Sequence, residues 1–79
     1  MKKKKRKYTT ILWLDHKSDS SWKSKKEIQE WATKNSLCET VGEITYEDED
    51  VIVLSASFDG DDEWGENMCI LKVNIIKKY

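Results

Sequence analysis

The sequence predicts a small α+β domain in which a single helix interrupts an antiparallel sheet. Four segments concentrate β-branched and aromatic residues or alternate apolar with polar residues, as strands do. A fifth segment has helical spacing and a helix start signal. With 79 residues the chain is long enough for one domain with a thin core. We predict the order β-α-β-β-β, folded as a strongly bent antiparallel sheet or as a small SH3-like or Sm-like barrel, with residues 1–7 as a basic flexible arm and residues 8–79 as the domain.

The first two predicted elements are a strand over Tyr8–Leu14 and a helix over about Lys25–Asn35. The strand is apolar on both faces, which predicts a central or covered position in the sheet. Ser24 and Glu27 have the spacing of a capping box, which satisfies two backbone donors at a helix start. Three apolar residues follow at helical spacing and predict a narrow core-facing stripe: Ile28, Trp31 and Ala32.

Three further strands are predicted over Leu37–Glu47, Val51–Phe58 and Asn67–Ile76. Short connections between them indicate an antiparallel meander, and Gly42 within a strand indicates a bulge or sharp bend. Alternation in the third strand predicts a core face of Ile52, Leu54, Ala56 and Phe58. In the fourth strand the same reasoning predicts a core face of Cys69, Leu71, Val73 and Ile75.

The charges are distributed unevenly along the chain, although the net charge is only −1. Lys2 to Lys7 supply six consecutive positive charges, whereas residues 8–79 hold 8 lysines against 15 acidic residues, a net charge of −7. Glu39 to Glu66 contains 11 acidic residues and no lysine or arginine. Such a stretch attracts basic surfaces and repels nucleic acid, so nucleic-acid binding through the lysine-rich arm is only the third function that we consider.

Several function classes are not supported by the sequence. No apolar run approaches the roughly 20 residues of a membrane span, and only four apolar residues follow the basic run, fewer than a signal peptide needs. We therefore expect a cytoplasmic protein with reduced cysteines. The two cysteines and the single histidine, His16, have no metal-ligand spacing, and the acidic loop lacks the register of a calcium loop. We expect no catalytic residues, no cofactor and no metal.

Residues 10–76 contain a series of short apolar and aromatic motifs: Trp13-x-Asp15, Ser21-Trp22, Cys38-x-x-Val41-Gly42-x-Ile44, Val51-Ile52-Val53-Leu54 and Cys69-Ile70-x-x-x-x-Ile75. Through these motifs the chain resembles a widespread group of short, uncharacterised phage and prophage proteins. The chain departs from the group at Thr40, where Ser is frequent, and at Leu71-Lys72, where Ile-Pro is frequent. The resemblance implies a phage accessory protein in the bacterial cytoplasm and supplies no catalytic residues.

The leading hypothesis from the sequence is a non-enzymatic phage protein that binds and inhibits a bacterial host or defence factor. The acidic stretch would present its carboxylates to a basic surface on that factor, and exposed tryptophans are frequent interface anchors. The predicted contact residues are Glu47, Asp48, Glu49, Asp50, Asp59, Asp61, Asp62, Glu63, Trp64 and Trp22. A solvated acidic face that only maintains solubility is the competing interpretation.

The second hypothesis is an oligomeric small barrel that sequesters a phosphorylated signal nucleotide. Basic residues outside the acidic stretch would then contact the phosphate: Lys17, Lys23 and Lys72. Both hypotheses include a homodimer or larger ring, because one helix with a narrow apolar stripe cannot cover two apolar strand faces.

Overall fold

The computed structural model describes residues 5–60 and 62–79 and contains five strands and one α-helix. The elements are β1 (Thr9–Leu14), α1 (Lys25–Ala32), β2 (Leu37–Glu47), β3 (Val51–Asp59), β4 (Glu63–Leu71), a 3-10 helix (Lys72–Asn74) and β5 (Ile75–Lys78). Every strand pair is antiparallel, and the sheet has the order β4-β3-β2-β1-β5. The predicted α+β class and antiparallel pairing are confirmed, whereas the predicted order β-α-β-β-β is not, because the structure contains a fifth strand. The sheet is not closed, because β4 and β5 are its two edges, so the barrel form is not confirmed.

Strand β2 belongs to both halves of the sheet and changes partner at Gly42. Residues 37–42 pair with β1, and residues 43–47 pair with β3. A Cβ atom on Gly42 would lie 2.7 Å from the carbonyl oxygen of Ser55, far inside van der Waals contact. The register with β3 also shifts between Ile44 and Tyr46. The predicted irregularity at Gly42 is thus a close backbone approach, and the bulge follows it two residues later.

The predicted fourth strand is two strands separated by the 3-10 helix, and its predicted core face is wrong for β4. Ile70 is buried and pairs with Ile52, whereas Cys69 is exposed. The apolar residues occupy both faces of this segment, so alternation alone does not decide which face is buried; pairing with β3 does. The 3-10 helix then restores the predicted face at Ile75, which packs against the core.

Among residues 5–60 and 62–79, the hydrophobic core consists of five buried side chains, Ile11, Trp13, Ile52, Leu54 and Ile70. They come from β1, β3 and β4, so the core lies between the two halves of the bent sheet. One polar residue, Ser55, is also buried, and its hydroxyl lies 2.8 Å from the Thr45 hydroxyl and donates to Asn67 Oδ1 at 2.6 Å. This cross-strand network removes the cost of burying the hydroxyl.

Helix α1 lies in an excursion over residues 15–36 that leaves the sheet between β1 and β2. Its capping box is present as predicted, with Ser24 accepting from the backbone of Glu27 and the Glu27 carboxylate accepting from the backbone of Ser24. The helix contains no buried residue, Trp31 is only half-buried, and Trp22 is fully exposed. The expectation that the helix stripe and Trp31 enter the core is therefore wrong.

The molecule is elongated. Its radius of gyration is 16.7 Å and its extents are 58 × 23 × 18 Å, whereas a compact chain of this length has a radius of gyration of about 12 Å. Over residues 5–60 and 62–79, no helix has the length and apolar character needed to cross a bilayer.

Replacement of Gly42 by alanine is expected to destabilise the fold. The new methyl group would clash with the backbone of Ser55, and overpacking of this kind costs about 1–3 kcal/mol. The melting temperature should fall by at least about 4 °C for a domain of this size. Gly65→Ala is the matched control, because its nearest neighbour, the Ser57 Cβ, lies at 3.6 Å. Equal melting temperatures for the two variants would contradict the assigned role of Gly42.

Candidate functional site

The predicted acidic contact residues that the structure describes lie at two opposite ends of β3 and do not form one surface. The turn end consists of residues 47–50, where β2 leads into β3, and the hairpin end consists of residues 59–60 and 62–63, where β3 leads into β4. The eight residue steps of β3 between these ends correspond to about 26 Å of extended chain. One small patch on a partner protein cannot contact both ends at once. The two ends are therefore separate candidate binding sites, and the contacts within each end differ.

At the turn end, two of the four acidic side chains have structural roles. Asp48 Oδ1 accepts the backbone N–H groups of Asp50 (2.8 Å) and Val51 (2.9 Å), and Asp48 Oδ2 accepts the Tyr46 hydroxyl at 2.8 Å. Glu47 forms an ion pair of 2.8 Å with Lys72 in the 3-10 helix. Only Glu49 and the Asp50 carboxylate remain directed to solvent without such a partner within the described part of the chain.

These contacts change the titration of the turn end in the expected directions. Hydrogen bonds from the backbone N–H groups of Asp50 and Val51 and from the Tyr46 hydroxyl lower the pKa of Asp48. The hydrogen bond from Lys72 lowers the pKa of Glu47, and the hydrogen bond to Asp48 raises the pKa of Tyr46. The charged form of Asp48 is therefore part of the folded turn, and its removal has a structural cost.

At the hairpin end, acidic side chains surround an aromatic pair. Phe58 and Trp64 are opposite each other on β3 and β4, and Asp59 is opposite Glu63. These residues line a shallow cleft of about 240 Å³ together with Ser57 and Gly65. Among residues 5–60 and 62–79, no ion pair involves Asp59, Asp62 or Glu63; the predicted site residue Asp61 lies outside the described residues.

The hairpin end is completed by Glu43 and Arg6, which the sequence analysis did not single out. Glu43 Oε1 accepts the Trp64 indole N–H at 2.9 Å, and its carboxylate accepts the Arg6 guanidinium at 3.1 and 3.3 Å. Arg6 also donates to the Gly60 carbonyl oxygen at 2.9 Å and lies 3.9 Å from the Phe58 ring centroid. Its position as the one arginine in a run of lysines was the available signal.

The structure describes only residues 5–7 of the predicted basic arm. Met1 to Lys4 lie outside the described residues, and so does the prediction that these four residues are flexible. Arg6 has a side chain that is only 7% exposed, and Tyr8 contacts the Phe58 ring with a centroid separation of 6.2 Å. The segment before β1 therefore contacts the hairpin end.

The three lysines of the phosphate-binding hypothesis do not converge. The Lys17 ammonium donates to the carbonyl oxygens of Trp31 and Lys34 at the end of α1. Lys23 forms an ion pair of 2.7 Å with Asp19, and Lys72 holds Glu47 in the turn. The Lys23 hydrogen bond is the main cause that lowers the pKa of Asp19 to about 2. The remaining predicted contact residue, Trp22, is in the excursion and is fully exposed.

A larger open cleft of about 530 Å³ lies between the two halves of the sheet. It is lined by Trp13, Thr40 and Met68, and also by both cysteines and His16. The Cys38 thiol donates to the Ser36 carbonyl oxygen, which orients it within its own turn. In the described part of the chain, no group of three or more potential ligands is arranged to hold a metal ion.

Comparison of the chain with protein-family models, with curated proteins and with solved structures finds no match. The site therefore has to be interpreted from its own geometry.

The stability of the turn end is expected to depend on pH through Asp48. The pKa of Asp48 is lowered in the folded state, so its stabilising contribution is present above the unfolded pKa of about 3.9 and is lost as the pH falls through the folded pKa. Melting temperatures measured from about pH 5 to pH 2 should fall less steeply for Asp48→Asn than for the wild type. Glu49→Gln should keep the wild-type slope, and a parallel loss of slope in both variants would contradict this assignment.

Proposed function

We propose that this protein is a non-enzymatic phage accessory protein that binds a basic surface of a bacterial host or defence factor through its hairpin end. The supporting observation is that Asp59, Asp62 and Glu63 are exposed and form no ion pair in the described structure, and that they lie close to Trp64, a residue that is 37% exposed. An aromatic anchor with charged residues around it is typical of protein interfaces. The bacterial setting follows from the resemblance of the motifs to phage proteins.

The hairpin end is a better candidate than the turn end for a structural reason. At the turn end, Asp48 and Glu47 already accept hydrogen bonds and an ion pair within the chain. A partner would have to compete for those carboxylates, and the turn would lose its own contacts. At the hairpin end, the carboxylates of Asp59, Asp62 and Glu63 form no ion pair within the described residues. A partner can therefore pair with these three directly, and the complementary charges accelerate association.

We also propose that copies of the chain associate through the outer face of β1, β2 and β5. Leu12 and Leu14 lie on the side of β1 opposite the core and are half-buried. On the same face, Leu37 and Val41 of β2 are about half exposed, as is Ile76 next to the register shift of β5. Glu39 and Lys77 pair with Leu12, so the face also carries two charged residues. The helix contributes no buried residue, and exposed apolar residues grouped on one face are typical of an interface. A second copy offers the same face, so a two-fold interface is self-complementary.

Charge reversal at the hairpin end should abolish partner binding. The triple change Asp59→Lys, Asp62→Lys and Glu63→Lys inverts the sign of the proposed interface, and like charges repel in place of attracting. Tagged wild-type and variant proteins would be used for affinity capture from bacterial lysate, with mass spectrometry of the captured proteins. We expect basic proteins to be captured by the wild type and lost from the triple variant.

The matched control carries the same change of charge at other exposed acidic residues: Glu30→Lys, Glu49→Lys and Asp50→Lys. This control should capture the same proteins as the wild type. If the hairpin variant captures them equally well, or if the control loses them too, binding does not depend on the hairpin end.

The proposed self-association should disappear when the outer face becomes charged. Sedimentation at high micromolar concentration should give a multiple of the 9.3 kDa monomer for the wild type and the monomer for Leu37→Glu with Val41→Glu, because a charge buried in an apolar interface is costly. Val73→Glu is the control, since Val73 is 90% exposed and lies in the 3-10 helix. A monomeric wild-type protein would contradict the proposal.

A further inference from the structure

We infer that the hairpin end contains a receptor site for an arginine side chain, which Arg6 of the same chain occupies until a partner's arginine replaces it. The inference rests on the proposed function and specifies the partner chemistry: a guanidinium group on the basic surface. The site consists of the Glu43 carboxylate, the Gly60 carbonyl oxygen and the face of Phe58.

The geometry around Arg6 is specific for a guanidinium. One nitrogen, Nη1, donates to the Glu43 carboxylate, and the second, Nη2, donates to the Gly60 carbonyl oxygen at 2.9 Å. The planar group lies 3.9 Å from the centre of the Phe58 ring. A guanidinium makes these contacts simultaneously because its donors diverge within one plane and its face stacks on aromatic rings, whereas an ammonium is a single point of charge.

The receptor groups are held in place independently of Arg6. Glu43 follows Gly42 and is paired with Ser55 in the sheet, and its Oε1 atom accepts the Trp64 indole N–H. Phe58 is paired with Trp64 across β3 and β4. The carboxylate and the ring are therefore positioned by their strands and by Trp64, as required for a site that persists when its occupant changes.

Because Arg6 occupies the site, a partner's arginine can bind there only when Arg6 leaves it. Arg6 is three residues before the start of β1, so its effective concentration at the site is high, in the millimolar range expected for short tethers. The apparent affinity for an external arginine falls by the fraction of molecules in which the site is open. A partner must therefore bring further contacts, which the surrounding acidic residues and Trp64 provide.

Fluorescein-labelled hexa-arginine and hexa-lysine peptides test the inference, with binding followed by fluorescence anisotropy at 0.15 M salt. In the Arg6→Ala variant of the full chain, we expect hexa-arginine to bind about tenfold more tightly than to the wild type and clearly more tightly than hexa-lysine does. Adding Glu43→Gln to Arg6→Ala should remove the preference for hexa-arginine.

Two control variants separate the site from general charge effects. Lys5→Ala removes the same positive charge but leaves Arg6 in place, so it should change the affinity for the two peptides equally and only slightly. Arg6→Lys keeps the charge of the wild type and should open the site partially, with an intermediate affinity for hexa-arginine. This variant also keeps the test valid if Arg6→Ala fails to fold, which a thermal melt would show.

The inference is overturned if the Arg6 variants bind both peptides equally, or if Arg6→Ala and Lys5→Ala behave alike. These outcomes are distinct from failure of the proposed function. If Arg6→Ala prefers hexa-arginine but the hairpin-end charge reversal does not alter capture from lysate, the arginine site exists and the proposed host partner does not bind there. If capture depends on the hairpin end without any arginine preference, the partner binds by charge alone.

Discussion

The close approach between Gly42 and the backbone of Ser55 determines how the two halves of the sheet meet. At this point β2 changes its pairing partner from β1 to β3. The first half of β2 therefore lies beside Trp13, and the second half places Glu43 close to β3 and β4. Thr9 pairs with Gly42 in the same crossing, so the segment before β1 emerges beside Glu43. The contact between Arg6 and Glu43 is therefore a consequence of the strand crossing, although 37 residues separate the two in the chain.

The second constraint is the small size of the core. Five buried side chains between two half-sheets leave much of the apolar surface outside, since a chain of this length buries a low fraction of its surface. Helix α1 adds no buried residue to this core, and the molecule is elongated. Two surfaces of the molecule keep apolar side chains exposed after folding: the outer face of β1, β2 and β5, and the aromatic residues at the hairpin end. Association through these surfaces would bury apolar area that folding leaves in contact with water.

The acidic residues show that charge composition and charge function are different properties. Asp48 and Asp59 have the same side chain and lie at opposite ends of one strand, yet the first organises a turn through two backbone N–H groups and the second faces solvent beside an aromatic cleft. Glu43 differs again, because it joins an arginine and a tryptophan at one carboxylate. Local geometry therefore divides the acidic stretch into residues that support the fold and residues that are available to a partner.

Local sequence signals were sufficient for much of this architecture. The capping box at Ser24 and Glu27, the alternation that buries Ile52 and Leu54, and the special position of Gly42 each depend on residues close in the chain, so the sequence alone predicted them. Tertiary structure decided what local patterns leave open. The segment after Asn67 is apolar on both faces, so pairing with β3 had to select Ile70 for the core over Cys69. Trp31 has helical spacing suited to a core, but the helix contributes no buried residue. The acidic stretch was visible in the sequence. Its division between the two ends of β3, and the position of Arg6 at one of them, were not visible, because the order of charges along the chain does not show which residues become neighbours until the strands pair.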